Sequence, residues 1–213
     1  MLFEFKDVTY KDLLDIPCLN IPDHRVTCLF GPSGSGKTTL LRMLNKLISP
    51  TGGSIFHHGR DLNLISSVEH RRQVTLLSQT PILFEGTVRD NLNAGLLFRE
   101  LPPAGDPVLQ GILDQVQLSK QLDHPVGTLS GGEKQRLALG RVLLLDSLVY
   151  LLDEPSSALD EKTELLIIEM LTRHARETKK SIVMVTHSRT IAGRFADEVL
   201  EMEKGVCLNG GAS

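Results

Sequence analysis

The chain alternates short, almost wholly apolar runs with amphipathic stretches of helical period, and that alternation predicts its elements. Residues 2–10 set Phe3, Phe5, Val8 and Tyr10 in a strand-rich context, and residues 13–21 contain a second short extended piece bounded by Pro17 and Pro22. The run Val26-Thr27-Cys28-Leu29-Phe30 reads as a buried strand, and residues 37–44 follow with helical spacing. That helix is expected to end before the breaker cluster Ser49-Pro50-Thr51-Gly52-Gly53. Residues 54–59 and 73–77 read as further strands. Between 86 and 146 the character turns helical, with pieces at 88–93, 107–116 and 131–145 separated by Pro102-Pro103 and His124-Pro125. Then come an apolar strand at 148–153, an amphipathic helix at 161–177, an apolar strand at 181–186 and a hairpin over 198–208 turning at Glu203-Lys204-Gly205. Strands that are apolar throughout and alternate with helices predict an α/β fold whose parallel sheet is covered on both faces.

Composition narrows this picture more than it extends it. A length of 213 residues suits one domain or a core with a small subdomain, here 1–85 and 147–213 as core and 86–146 as helical subdomain. Net charge of -3 and aromatic content of 4% with no Trp oppose a nucleic-acid partner, which calls for a basic surface or a base-stacking platform. Cys18, Cys28 and Cys207 are odd in number and lack C-x-x-C spacing, which suggests reduced core thiols in a cytosolic protein. His57, His58, His70, His124 and His174 show no ligand-like spacing and read as surface or packing residues. No apolar run reaches membrane-spanning length, and Glu4 and Asp7 sit where a signal peptide would be basic and apolar. Work at a membrane would therefore need a partner.

Three segments carry chemistry. Residues 31–38, GPSGSGKT, satisfy G-x-x-x-x-G-K-[ST] between a predicted strand and a predicted helix. Glycines there let backbone N–H groups approach phosphates, Lys37 neutralises the outer ones, and Thr38 is placed to ligate magnesium. The strand Val149-Tyr150-Leu151-Leu152 ends in Asp153-Glu154, an expensive place to leave charge unpaired. Asp153 would hold magnesium and Glu154 polarise an attacking water, although a strand that has simply reached solvent explains the pair equally well in isolation. Leu129-Ser130-Gly131-Gly132-Glu133-Lys134-Gln135-Arg136 places Ser130 as N-cap of a helix whose end is either a second anion site or an ordinary capped terminus.

Taken in order, GPSGSGKT, LLSQTPILFEGTVRDNL, LSGGEKQR, VYLLDEPSSALD and Val185-Thr186-His187 resemble the ATPase subunit of ABC transporters over nearly the whole chain. The resemblance implies a P-loop, RecA-like core with an N-terminal antiparallel β region and an inserted α-helical subdomain. It also implies ATP and Mg2+ as cofactors and a homodimer that sandwiches two ATP molecules. By resemblance, Gly31, Ser33, Gly34, Ser35, Gly36, Lys37, Thr38 and Thr39 form the Walker A loop, and Gln79 is the Q-loop residue joining the magnesium site to the subunit interface. Ser130, Gly131 and Gly132 form the signature that caps the partner's γ-phosphate, Asp153 and Glu154 the Walker B pair, and Asp160 ends the D-loop. His187 is the switch histidine. Tyr10 stands where an adenine-stacking aromatic is expected, with a bland strand aromatic as the competing reading. Glu133 departs from the glutamine common at its position, a change expected to be tolerated.

The implied function is ATP hydrolysis that drives a separate transmembrane permease from the cytoplasmic face, with membrane contact only through that permease. Residues 81–87 after Gln79 resemble exporter-like ATPases, and the iron-efflux type among them, so metal export is the expected direction and cargo. The alternatives are a DNA-repair ATPase, which would need a long coiled coil or zinc modules between loop and signature, and a regulatory nucleotide-binding module, which Glu154 and His187 oppose. Only Asn209-Gly210-Gly211-Ala212-Ser213 follows Leu208, so no C-terminal regulatory domain is expected.

Overall fold

The computed structural model describes residues 1–208; the expectation about the tail beyond Leu208 lies outside the described residues. The chain opens with strands β1 (Phe3–Tyr10), β2 (Leu14–Ile21) and β3 (Val26–Phe30), helix α1 (Lys37–Leu44), and strands β4 (Gly52–His57) and β5 (Arg60–Asp61). Helix α2 (Ser67–Gln73) and strand β6 (Val74–Leu77) lead into helices α3 (Val88–Phe98), α4 (Asp106–Gln115) and α5 (Gly131–Leu144). The last part comprises β7 (Val149–Asp153), α6 (Glu161–Glu177), β8 (Ser181–Val185), α7 (Arg189–Phe195), β9 (Glu198–Glu203) and β10 (Val206–Cys207).

Two sheets result. An antiparallel sheet has the order β2-β1-β4-β5, and a second has the order β10-β9-β3-β8-β7-β6, parallel except for the terminal β10. Alternation along the central strands explains why they read as unbroken apolar runs. In β7, Tyr150 and Leu152 join the core under α3 to α6, while Val149 and Leu151 join the core under α1 and the N-terminal sheet. Ile182 and Met184 of β8 divide from Val183 and Val185 in the same way. Both faces of β7 and β8 are dry, and these strands carry Asp153 and Ser181 at their ends.

Several elements differ from the sequence reading. Strand β2 runs through Pro17 rather than stopping there, because β2 is an edge strand and Pro17 needs no ladder partner. β1 bends opposite it, with Asp7 at a φ of 51° and a register shift between Lys6 and Thr9. Helix α3 continues past Asn93 to Phe98, with Leu96 buried and Gly95 seated against Leu145. Helices α2 and α7, each seven residues, fell below what apolar periodicity reveals. The thiols also divide: Cys28 is buried, Cys207 half-buried, and Cys18 exposed on the β2 edge, so Cys18 is not a core thiol.

Candidate active site

The carboxyl ends of four adjacent parallel strands meet at one place, the usual position for ligands in an open α/β sheet. β3 releases the glycine-rich loop into α1, β6 leads to Gln79, β7 ends at Asp153 and β8 leads to His187. Between them lies a cavity of about 280 Å³ lined by Leu13, Ser33, Gly34, Gly36, Lys37, Thr38, Thr39, Gln79, Glu154 and His187.

Local geometry explains the loop. Gly31 has a φ of 150°, and a Cβ there would stand 2.1 Å from the carbonyl oxygen of Met202 on β9. Gly36, at φ 97°, precedes α1 and supplies no side-chain cap, which leaves the first N–H groups of the helix free for an anion. Lys37 is buried and donates from Nζ to the carbonyls of Gly31 and Pro32, both at 2.8 Å, and to Ser35 Oγ at 3.4 Å. Burial lowers its ammonium pKa, and the charges of Glu154 and Asp153 oppose that shift. An ammonium held only by carbonyls and a hydroxyl is a cation ready for phosphate oxygens.

The acidic side is built from β7. Asp153 is buried and accepts a hydrogen bond from Thr38 Oγ1 at 3.1 Å. Burial raises its carboxyl pKa; the Thr38 bond lowers it, the Glu154 charge raises it further, and Arg42 and Lys37 oppose. A buried carboxylate beside a single hydroxyl is the donor set a hard divalent cation takes, so the residues fit Mg2+. Glu154, the next residue, has a φ of 48°, a left-handed conformation that costs a non-glycine residue about 1–3 kcal/mol. The turn aims its carboxylate at two side chains: Gln79 Nε2 donates to Oε2 at 2.9 Å, and His187 Nε2 donates to Oε1 at 2.9 Å. A carboxylate can only accept, so His187 carries its proton on Nε2.

Other anticipated residues fall elsewhere. Tyr10 does not line the cavity; Leu13 does, and the Tyr10 ring lies under Lys11 Nζ at 5.3 Å. Ser130, Gly131 and Gly132 are likewise absent from it and open α5, where Ser130 and Gly131 are exposed. Ser130 Oγ accepts from Glu133 N at 3.3 Å, and Ser130 N donates to Glu133 Oε2 at 2.9 Å. Asp160 is the N-cap of α6, accepting from Thr163 N at 3.1 Å. The carboxylate of Glu133 is held down at about 2 by the Ser130 N–H and by Lys120, whose Nζ lies at 3.0 Å. Sequence reasoning passed over Gln135, a buried amide whose side chain reaches the backbone of both Glu154 and Ala158. A polar residue inside an otherwise buried helix face was the available signal.

Comparison with known proteins places the chain. The family described as ABC transporter matches residues 14–157, and the chain belongs to it. The chain is 36% identical over 200 residues to the phosphonates import ATP-binding protein PhnC 2 of Synechococcus sp. (strain JA-2-3B'a(2-13)), covering 88% of this chain and 74% of that one. It is 39% identical over 180 residues to the probable iron export ATP-binding protein FetA of Escherichia coli (strain K12), covering 84% and 76%. Its fold matches the dimeric ATP-binding cassette MJ0796 in a post-hydrolysis state bound to ADP and Pi, with a TM-score of 0.84, 26% identity and 97% coverage of each chain. The protein is the ATP-binding subunit of an ABC transporter, an ATPase.

Proposed function

We propose that the chain hydrolyses ATP at the cavity bounded by Lys37, Gln79, Glu154 and His187, as one half of a homodimer, and so powers a separate permease at the cytoplasmic face of the membrane. The observation that carries this is the paired clamp on Glu154, both of whose oxygens are held by side chains that face the loop. Glu154 takes the proton of the attacking water, while Gln79 and His187 hold its carboxylate in line. Lys37 leaves the loop carbonyls for the outer phosphates, and the N–H groups of α1 receive the inner ones. Thr38 and Asp153 would hold a magnesium ion, which would supply charge neutralisation to the phosphates.

The segment 86–146 is proposed to move as a helical unit tied to the cavity by the strand-to-helix connection after Gln79. Buried Asn91 on α3 supports this, since it receives Phe84 N at 2.8 Å and donates to Phe84 O at 2.9 Å. An apolar groove of about 500 Å³ runs beside that connection, lined by Leu47, Val68, Leu76 and Phe98 and edged by Arg71 and Arg72. We assign this groove to the permease.

Export is the direction we favour, with metal ions as cargo, on the similarity to the iron export protein and the exporter-like residues 81–87. Import of an oxyanion is the second reading, favoured by the similarity to the phosphonates import protein. Inside-out vesicles carrying permease and chain test both parts. Export predicts ATP-driven accumulation of divalent iron in the vesicles. Glu154→Gln should retain ATP binding, hydrolyse about a hundredfold more slowly or worse, and accumulate nothing. ATP-driven loss of cargo from the vesicles would reverse the direction, and wild-type turnover in the variant would remove Glu154 from its role.

A further inference from the structure

We propose that Gln135 is a positioning residue of the hydrolytic site, holding the backbone of Glu154 and coupling it to the helix that begins at Ser130. This rests on the assignment of Glu154 made above.

Gln135 lies one turn into α5 and is 3% exposed. Its amide bridges two backbone groups of a different segment: Nε2 donates to the carbonyl of Glu154 at 3.0 Å, and Oε1 accepts from Ala158 N at 2.9 Å. The partners fix the amide orientation, since one is a pure acceptor and the other a pure donor. No shorter or charged side chain satisfies both.

Glu154 needs such a hold. Its left-handed φ of 48° persists only where neighbouring groups over-determine it. Its N–H donates to Val185 O at 3.2 Å, and its carbonyl accepts from Ser157 N at 3.2 Å as well as from Gln135. Val185 and Ser157 both belong to the strands and turn that frame the cavity, whereas Gln135 comes from α5. The carboxylate that faces Gln79 and His187 is therefore aligned through a peptide that α5 also grips. The contact at Ala158 extends the same grip along the turn that leads to Asp160, and Gly132 packs there too, since a Cβ on it would stand 3.1 Å from Ala158 O.

The direction of influence follows from the other end of the helix. Ser130 and Gly131 are exposed at the start of α5, five and four residues before Gln135. A displacement of α5 when that end meets a second chain's nucleotide reaches Glu154 through one rigid helical turn and one side chain. Hydrolysis in one cavity then depends on whether the other is filled.

The test uses the purified full chain with Mg-ATP, comparing Gln135→Leu, which removes both bonds at similar volume, with Gln135→Glu, which still accepts from Ala158 N and cannot donate to Glu154 O. Both are expected to lower kcat about tenfold to a hundredfold, the scale of a displaced catalytic group, and to leave KM for ATP within about twofold. The Hill coefficient for ATP should fall toward one. Wild-type kcat in both variants overturns the proposal, as does a loss confined to KM. Gln135→Glu decides if Gln135→Leu fails to fold, and loss of the folded state in both overturns the proposal by assigning Gln135 to the core. Should Glu154→Gln turn over like wild type, the premise about Glu154 fails whatever Gln135 does, so the two failures are distinct.

Discussion

At the residue scale the least expected group is His57. It is buried at the end of β4, stacked on Phe3 with ring centroids 4.9 Å apart and tilted 27°, and its Nε2 has no hydrogen-bond partner among the described residues. Burial pushes its imidazole down to about 4, with His58 and His70 adding to the shift and Asp23 opposing it. His70, whose ring lies 5.1 Å away, is also lowered, first by burial, then by Lys46 and Arg71, against its hydrogen bond to Leu44 O. Because the folded state takes up fewer protons than the unfolded one, this stability is present above about 6.5 and drains away as pH falls toward about 4. His57→Phe keeps the stack and deletes the titrating site. Between about pH 7 and pH 4.5 the wild type should therefore lose roughly 5 °C more in Tm than the variant, by circular dichroism. Parallel losses would show that other groups set the acid sensitivity. GPSGSGKT and Asp153-Glu154 were legible at this scale because their chemistry depends on spacing along the chain. The left-handed backbone of Glu154 and the reach of Gln135 were not, since both depend on segments nineteen residues apart meeting in space.

At the scale of elements, β7 and β8 were readable because a strand buried on both faces has few polar positions to break its apolar run. Helices α2 and α7 were not, and the groove shows why α2 in particular is half-silent: its Val68 is 58% exposed and waits for a partner rather than a core. Phe98, at the last turn of α3, is 73% exposed, with its ring 5.5 Å from that of Phe84 across the connection from Gln79. Large exposed apolar side chains gathered around one groove mark an interaction site rather than chance exposure. Phe98→Asp adds a charge where the permease is assigned and touches no cavity residue. The isolated variant should keep its ATP turnover within about twofold of wild type. Co-purification with the permease from membranes should fall at least about tenfold, the loss expected at a central apolar contact. Undiminished co-purification would move the permease to another face.

For the whole molecule, the arrangement that matters is the separation of the N-terminal ends of α1 and α5, both of which we propose to face phosphate. The end of α1 opens into the chain's own cavity, whereas the end of α5, with exposed Ser130 and Gly131, does not. Unlike surfaces on one chain, each wanting the same ligand, are both satisfied when a two-fold axis sets each against the other's counterpart. The charge of Glu133 does not spoil this, because it is spent on the Ser130 N–H and on Lys120. That leaves the remaining N–H groups of α5 for a phosphate. Glu154→Gln saturated with Mg-ATP should consequently run as a dimer in light scattering and return to monomer with ADP. Adding Ser130→Arg should leave the double variant monomeric, since a bulky cap fills the space a phosphate needs. Nucleotide affinity of that monomer should change less than about threefold, because Lys37 and Thr38 stay in place. A Glu154→Gln chain that stays monomeric when saturated with ATP would sever the link between the two helix ends and leave each cavity to work alone.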